Sequence, residues 1–129
     1  MVDDSNQDVY LFREILNDIS YKGTYSRFVS GTELIDKLKH HKLDLDTPSL
    51  MFIDFRLPQQ TGYEIAVSLR DKHHYPHKIV ITSAVIPPIA REPISQTYVD
   101  EWLEKAFDFN QYTQEVKALI EKYFPGSTR

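Results

Sequence analysis

Leu50-Met51-Phe52-Ile53-Asp54-Phe55-Arg56-Leu57-Pro58 is the stretch on which the fold turns. A short apolar run closed by a proline-containing loop fits a strand buried on both faces. Asp54 stands at its C-terminal end. Three other apolar runs end in a residue of related chemistry: Val2 leads into Asp3-Asp4, Ile79-Val80-Ile81 into Thr82-Ser83, and Trp102-Leu103-Glu104 into Lys105. If these runs are parallel strands, two acids, a third acid, a hydroxyl and an amine meet at one edge of a sheet.

The segments between the runs carry helical periodicity. Val9, Phe12, Ile15, Leu16 and Ile19 recur at helical spacing, with Ser5 or Asn6 available as N-cap. Tyr25–Val29 reads as a strand, and Gly31-Thr32 opens a second helix carrying Leu34, Ile35 and Leu38. A third helix follows Pro58 and Gly62, with Ile65, Ala66 and Leu69 on its apolar side. A strand at 78–82, another at 98–104 and a final helix over 110–124 complete the pattern. Pro87, Pro88 and Pro93 fall where a fourth helix belongs. Proline inside a helix costs about 3 kcal/mol, so the spacing predicts a short, displaced or absent helix there. Strands alternating with helices imply right-handed crossovers and a doubly wound α/β fold, its parallel sheet covered on both faces. Functional groups in such sheets collect beyond the carboxyl ends of the strands.

Composition narrows the function. At 129 residues, 41% hydrophobic and 26% charged, the chain matches one ordinary globular domain. A net charge of -4 gives no basic face for nucleic acid. The aromatic residues fall mostly at core-facing spacing, with no stacking platform for bases. The absence of cysteine excludes disulfides, thiolate nucleophiles and cysteine-based metal sites. No apolar stretch approaches the roughly 18 residues of a membrane span, so a cytoplasmic location is expected. His73, His74 and His77 are interrupted by Pro76, which spoils helical metal-ligand spacing; an exposed loop is the simpler reading.

Taken singly, each strand-end residue has an ordinary explanation. Paired acids cap helices, an aspartate before a loop forms a turn, and a lysine after a strand is solvated. All four together at successive strand ends are another matter. Packed carboxylates repel, so at least one should titrate high unless a cation joins them. All-oxygen ligation suits a hard cation such as Mg²⁺. A carboxylate can take up a phosphoryl group as an aspartyl phosphate, with metal and lysine neutralising the transferring oxygens.

The order and spacing of Val2-Asp3-Asp4-Ser5, Ile53–Pro58 with Thr61-Gly62-Tyr63-Glu64, Val80-Ile81-Thr82-Ser83 and Lys105-Ala106-Phe107 resemble the receiver domain of two-component response regulators over nearly the whole chain. The resemblance implies a five-stranded, flavodoxin-like sheet of order 2-1-3-4-5, with a receiver domain over 1–124 and a tail at 125–129. It implies that Asp54 accepts a phosphoryl group from a histidine kinase or phosphotransfer protein. Mg²⁺ would be bound by Asp4 and Asp54, by Asp3 through water, and by the Arg56 backbone carbonyl. Thr82 and Lys105 would contact the phosphoryl oxygens, and Trp102 would be an aromatic switch residue, moving inward when the Thr82 hydroxyl is drawn to phosphate. No output domain follows residue 124, so a stand-alone, chemotaxis-regulator-like protein is expected, signalling by contact with an output protein. The resemblance leaves a homodimer open.

Four departures stand out. Only Met1-Val2 precedes the acid pair, where the family has four to six apolar residues. A truncated start or a shortened first strand is therefore expected. Ala106 replaces the family's cis proline after Lys105, and a cis bond without proline costs roughly 2.5–4 kcal/mol. Ser83 competes with Thr82 for the hydroxyl role, Thr82 being preferred. The proline-rich segment 87–93 implies a remodelled output surface. Two rival functions follow. A pseudo-receiver would keep the fold without phosphotransfer. An aspartate-nucleophile phosphatase would need an acid two residues after Asp54, where Arg56 stands.

Overall fold

A computed structural model describes residues 1–105 and 107–128 of the chain. Three strands, β1 (Leu50–Asp54), β2 (Lys78–Ser83) and β3 (Glu101–Glu104), run parallel in the order β1-β2-β3. Beyond β1 the sheet continues through single residues: Val2 bridges Ile53 on one side and Phe28 on the other, both in parallel sense. Across the sheet the segments therefore run Phe28, Val2, β1, β2, β3, which is the 2-1-3-4-5 order. The first strand is shortened to one bridging residue. The strand expected over 25–29 is likewise reduced to Phe28, because a ladder extends only as far as its partner does.

Alternation along the strands divides the core into two layers. Met51, Ile53, Ile79 and Ile81 pack with Leu34 and Leu38 of α2 (Gly31–Lys39) and with Ile65, Ala66 and Leu69 of α3 (Gly62–Asp71). Phe52, Val80 and Leu103 face the other way. They meet Phe12, Ile15 and Ile19 of the α1 segment (helix Asn6–Asp18) together with Tyr112, Val116 and Ile120 of the last helix (Phe109–Tyr123). Burying each such side chain is worth about 1.5–3 kcal/mol, so the two layers clamp the sheet from both sides.

The proline-rich segment folds as expected of it. Pro88 opens a 3-10 turn (Pro88–Arg91), and only one helical turn, α4 (Ser95–Tyr98), follows before β3; the last helix is then α5. That turn takes residues 95–98 out of the strand expected to begin at 98. Arg70 fixes the start of β3, donating to the carbonyls of Tyr75, His77 and Tyr98 and to Asp100 Oδ2. Asp100 Oδ2 also accepts the Ile79 N–H, which ties β3 to β2. A cavity of about 450 Å³ is walled by Met1, Phe12, Tyr25, Phe28, Leu50 and Phe52 among others. Residues after α5 fold back: Lys22 N–H donates to the Ser127 carbonyl, and Glu121 accepts from Gly126 and Thr128. The peptide between Lys105 and Ala106 lies outside the described residues.

Candidate functional site at the carboxyl edge of the sheet

Each strand delivers its residue by register. Asp54 ends β1 directly opposite Thr82 of β2, and Thr82 in turn pairs with Leu103 of β3. The Asp54 N–H donates to the Val2 carbonyl at 2.9 Å, and the Asp3 N–H to the Phe28 carbonyl at 3.0 Å, so the single-residue bridge aligns the acid pair with Asp54. The loop after β1 closes tightly. Gly62 N–H donates to the Phe55 carbonyl, and a Cβ at Gly62 would lie 2.5 Å from the Asp54 carbonyl oxygen. Only glycine admits α3 this close to the site. Thr61 and Glu64 then form a reciprocal capping box that starts the helix.

Asp3, Asp4 and Asp54 offer carboxylate oxygens within 4.8 Å of one another. Asp3 is fully buried, Asp54 nearly so, and Asp4 exposed. One Asp3 oxygen accepts the Ser5 N–H at 2.9 Å. The other is buried without a hydrogen-bond donor and stands 3.7 Å from Lys105 Nζ. Burial, with the Asp54 charge adding to it, pushes the Asp3 carboxyl up to about 6. Burial also raises Asp54, against the opposing pull of Lys105. The expectation that packed acids titrate high thus holds, with desolvation as the larger cause. An all-oxygen set that includes one buried, undonated carboxylate oxygen fits a hard divalent cation.

Lys105 Nζ lies 2.9 Å from Asp54 Oδ1 and 2.8 Å from Asp8 Oδ2. Burial opposes its charge, yet hydrogen bonds to Asp54 and Asp8 hold it above the ordinary lysine range. Thr82 Oγ1 is buried without a hydrogen-bond partner, whereas Ser83 Oγ donates to the Val85 carbonyl at 2.5 Å. Of the two hydroxyls, Thr82 is the one left uncommitted. Arg56 sits in the loop after β1, exposed, its backbone bridged to Thr61. Trp102 is half-buried, its ring centroid 6.1 Å from Phe55 and 6.2 Å from Tyr63, and its Nε1 is buried without an acceptor.

Two contributors were not anticipated. Asp8 lies in the first turn of α1, whose N-cap Ser5 accepts the Asp8 N–H. A cap placed straight after the acid pair puts that first turn at the same edge, a signal present in the sequence. Arg27 donates through Nε and Nη2 to the Asp3 carbonyl at 3.1 Å each and through Nη1 to Asn6. This contact joins distant segments, and local patterning does not announce it.

An acid cluster, a lysine and an uncommitted hydroxyl at the C-terminal edge of a parallel sheet define a receiver-type site. The response regulator receiver domain family matches residues 1–117, and the chain belongs to that family. Among curated relatives, the polar-differentiation response regulator DivK of Brucella ovis is 23% identical over 121 residues, covering 93% of each chain. A response regulator of Streptococcus pneumoniae, RR06, is 26% identical over 95 residues; that match spans 73% of this chain and 40% of the relative's length. Among solved structures, the phosphorylated cyanobacterial phytochrome response regulator RcpA superposes with a TM-score of 0.80 at 20% identity, covering 98% of this chain and 93% of its own. The response regulator TrrA of Thermotoga maritima, in complex with Mg²⁺ and BeF, gives 0.66 at 27% identity, covering 92% of this chain and 94% of its own. Among the described residues, no helix is long and apolar enough to cross a membrane.

Proposed function

We propose that this chain is a stand-alone response regulator in which Asp54 accepts a phosphoryl group from a histidine kinase or phosphotransfer protein, in a Mg²⁺-dependent step. One observation carries the reading: the Lys105 ammonium bonds Asp54 while a neighbouring buried hydroxyl, Thr82 Oγ1, has no partner. An unsatisfied buried hydroxyl is costly unless a ligand supplies its bond. An Asp54 oxygen attacks phosphorus, and the bond from phosphorus to the donor's leaving atom breaks, that atom keeping the electron pair. Thr82 and Lys105 then donate to the phosphoryl oxygens. Asp3, Asp4, Asp54 and the Arg56 carbonyl would hold Mg²⁺, which supplies charge neutralisation on those oxygens. The complex of TrrA with Mg²⁺ and BeF supports that assignment.

Any catalysis is limited to self-phosphorylation from small donors and self-dephosphorylation. The output is protein contact, with Trp102 reporting occupancy of the site by a change in packing. The 93% mutual coverage with the response regulator DivK supports the response-regulator reading. The cognate kinase and the output protein are to be sought among proteins rather than nucleic acid or membrane, and a homodimer is one candidate for the output state.

The test is intact-mass measurement after incubation with Mg²⁺ and acetyl phosphate. A Mg²⁺-dependent phosphate adduct that disappears in Asp54→Asn supports the reading. A folded protein that forms no adduct with acetyl phosphate or a kinase-borne donor would assign it as a pseudo-receiver. Turnover of unrelated phosphate esters would revive the phosphatase.

A further inference from the structure

We infer that Asp8 is a positioning residue for phosphoryl uptake, holding Lys105 in its resting place and slowing the approach of an anionic donor to Asp54. The inference rests on the phosphoacceptor reading of that site.

Lys105 spends two of its ammonium protons on carboxylates from different parts of the chain. Asp54 Oδ1 receives one at 2.9 Å and Asp8 Oδ2 the other at 2.8 Å. Asp8 stands outside the group of three acids whose oxygens converge on a cation position. It is also the most open of the lysine's acid contacts, its side chain 38% exposed against 11% for Asp54 and 0% for Asp3. Asp8 therefore borders the site where solvent reaches it, as the exposed Asp4 does. Its place is fixed from behind, because its own N–H is capped by Ser5 Oγ and α1 is packed on the sheet through Phe12 and Ile15. No second cation balances it: Lys105 is the only lysine or arginine in an ion pair with any of these acids among the described residues.

Two consequences follow for the reaction. A donor such as acetyl phosphate approaches as an anion and meets the charge of the partly exposed Asp8 beside Lys105, which lowers its local concentration. When Asp54 oxygen bonds to phosphorus and acetate departs with the electron pair of the broken P–O bond, negative charge grows on the phosphoryl oxygens. Lys105 must turn towards those oxygens, and the Asp8 hydrogen bond resists that movement. Asp8 thus favours the unphosphorylated arrangement, and its removal frees the whole ammonium for the phosphoryl group.

The experiment measures the rate of Mg²⁺-dependent adduct formation from acetyl phosphate in the wild type, Asp8→Asn, Asp8→Ser and Asp8→Glu, at low salt and at roughly 0.5 M salt. Adduct formation in the neutral variants is expected to be roughly two- to fivefold faster at low salt, the scale of a partly exposed charge pair. The advantage should shrink at high salt, and Asp8→Glu should restore the slow rate. Equal or slower uptake in both neutral variants overturns the inference, including the case in which they only lose thermal stability. If the wild type forms no adduct at all, the phosphoacceptor reading fails and takes this one with it. A wild-type adduct with no effect of Asp8 overturns the Asp8 role alone.

Discussion

Asp54 and Thr82 are register partners on adjacent parallel strands, so a carboxylate bonded to lysine and a hydroxyl bonded to nothing stand side by side. Replacing Thr82 by valine removes a buried, unpartnered hydroxyl at nearly constant shape. We expect stability to hold or rise by up to about 1 kcal/mol in urea denaturation. Phosphorylation should fall nonetheless, and the emission of Trp102, the one tryptophan in the chain, should no longer respond to acetyl phosphate.

Asp3 makes folding depend on pH. Its folded carboxyl is raised to about 6, so the folded state holds that proton more tightly than the unfolded chain does. The stabilisation is present below the ordinary value near 3.8 and is lost as pH rises through about 6. Asp3→Asn should therefore match the wild type near pH 4 and exceed it above pH 6, by on the order of 2–3 kcal/mol without divalent ions. Denaturation curves collected across that range with a chelator present check this. Adding Mg²⁺ should close the gap by stabilising the wild type.

Removing Lys105 leaves Asp3, Asp8 and Asp54 without their shared cation. Lys105→Ala should cost about 2–4 kcal/mol without divalent ions, since a carboxylate left buried and unpaired is expensive. Part of that loss should return on Mg²⁺ addition, measured as a larger rise in Tm than the wild type shows. A variant as stable as the wild type would contradict the electrostatic account of the site.

Gly62→Ala tests the close approach of α3. The added carbon would sit 2.5 Å from a backbone oxygen, which no rotamer change relieves. Destabilisation of about 1–3 kcal/mol is expected, together with slower adduct formation, because the displaced backbone belongs to Asp54.

The parallel α/β arrangement was legible because strand-end chemistry and helical periodicity agree from Val2 to Lys105, whereas the order of the strands came from the family resemblance. The prolines at 87, 88 and 93 announced the shrunken fourth helix, since each forbids an ordinary helix interior. What escaped was long-range geometry. Nothing near Phe28 tells that its ladder would end after one residue; that follows from how little of Val2's segment lies alongside it. Nothing near Arg27 tells that its guanidinium would clasp the carbonyl of Asp3. Asp8 was readable from its cap but has no strand end to advertise it.

The bridge at Val2 also bears on how the protein should be handled at the bench. Val2 N–H to Phe52, Asp54 N–H to Val2, Phe28 N–H to Met1 and Asp3 N–H to Phe28 are the bonds that seat the acid pair, and Met1 N reaches the Ser26 carbonyl as well. A bulky affinity tag fused ahead of Met1 would press directly on the strut that carries Asp3 and Asp4. A tag after residue 128 would join the chain beyond the Glu121 clasp, on a segment remote in sequence from the candidate site residues. Comparing the two placements for phosphorylation rate would reveal how much of the chemistry is set by the first two residues.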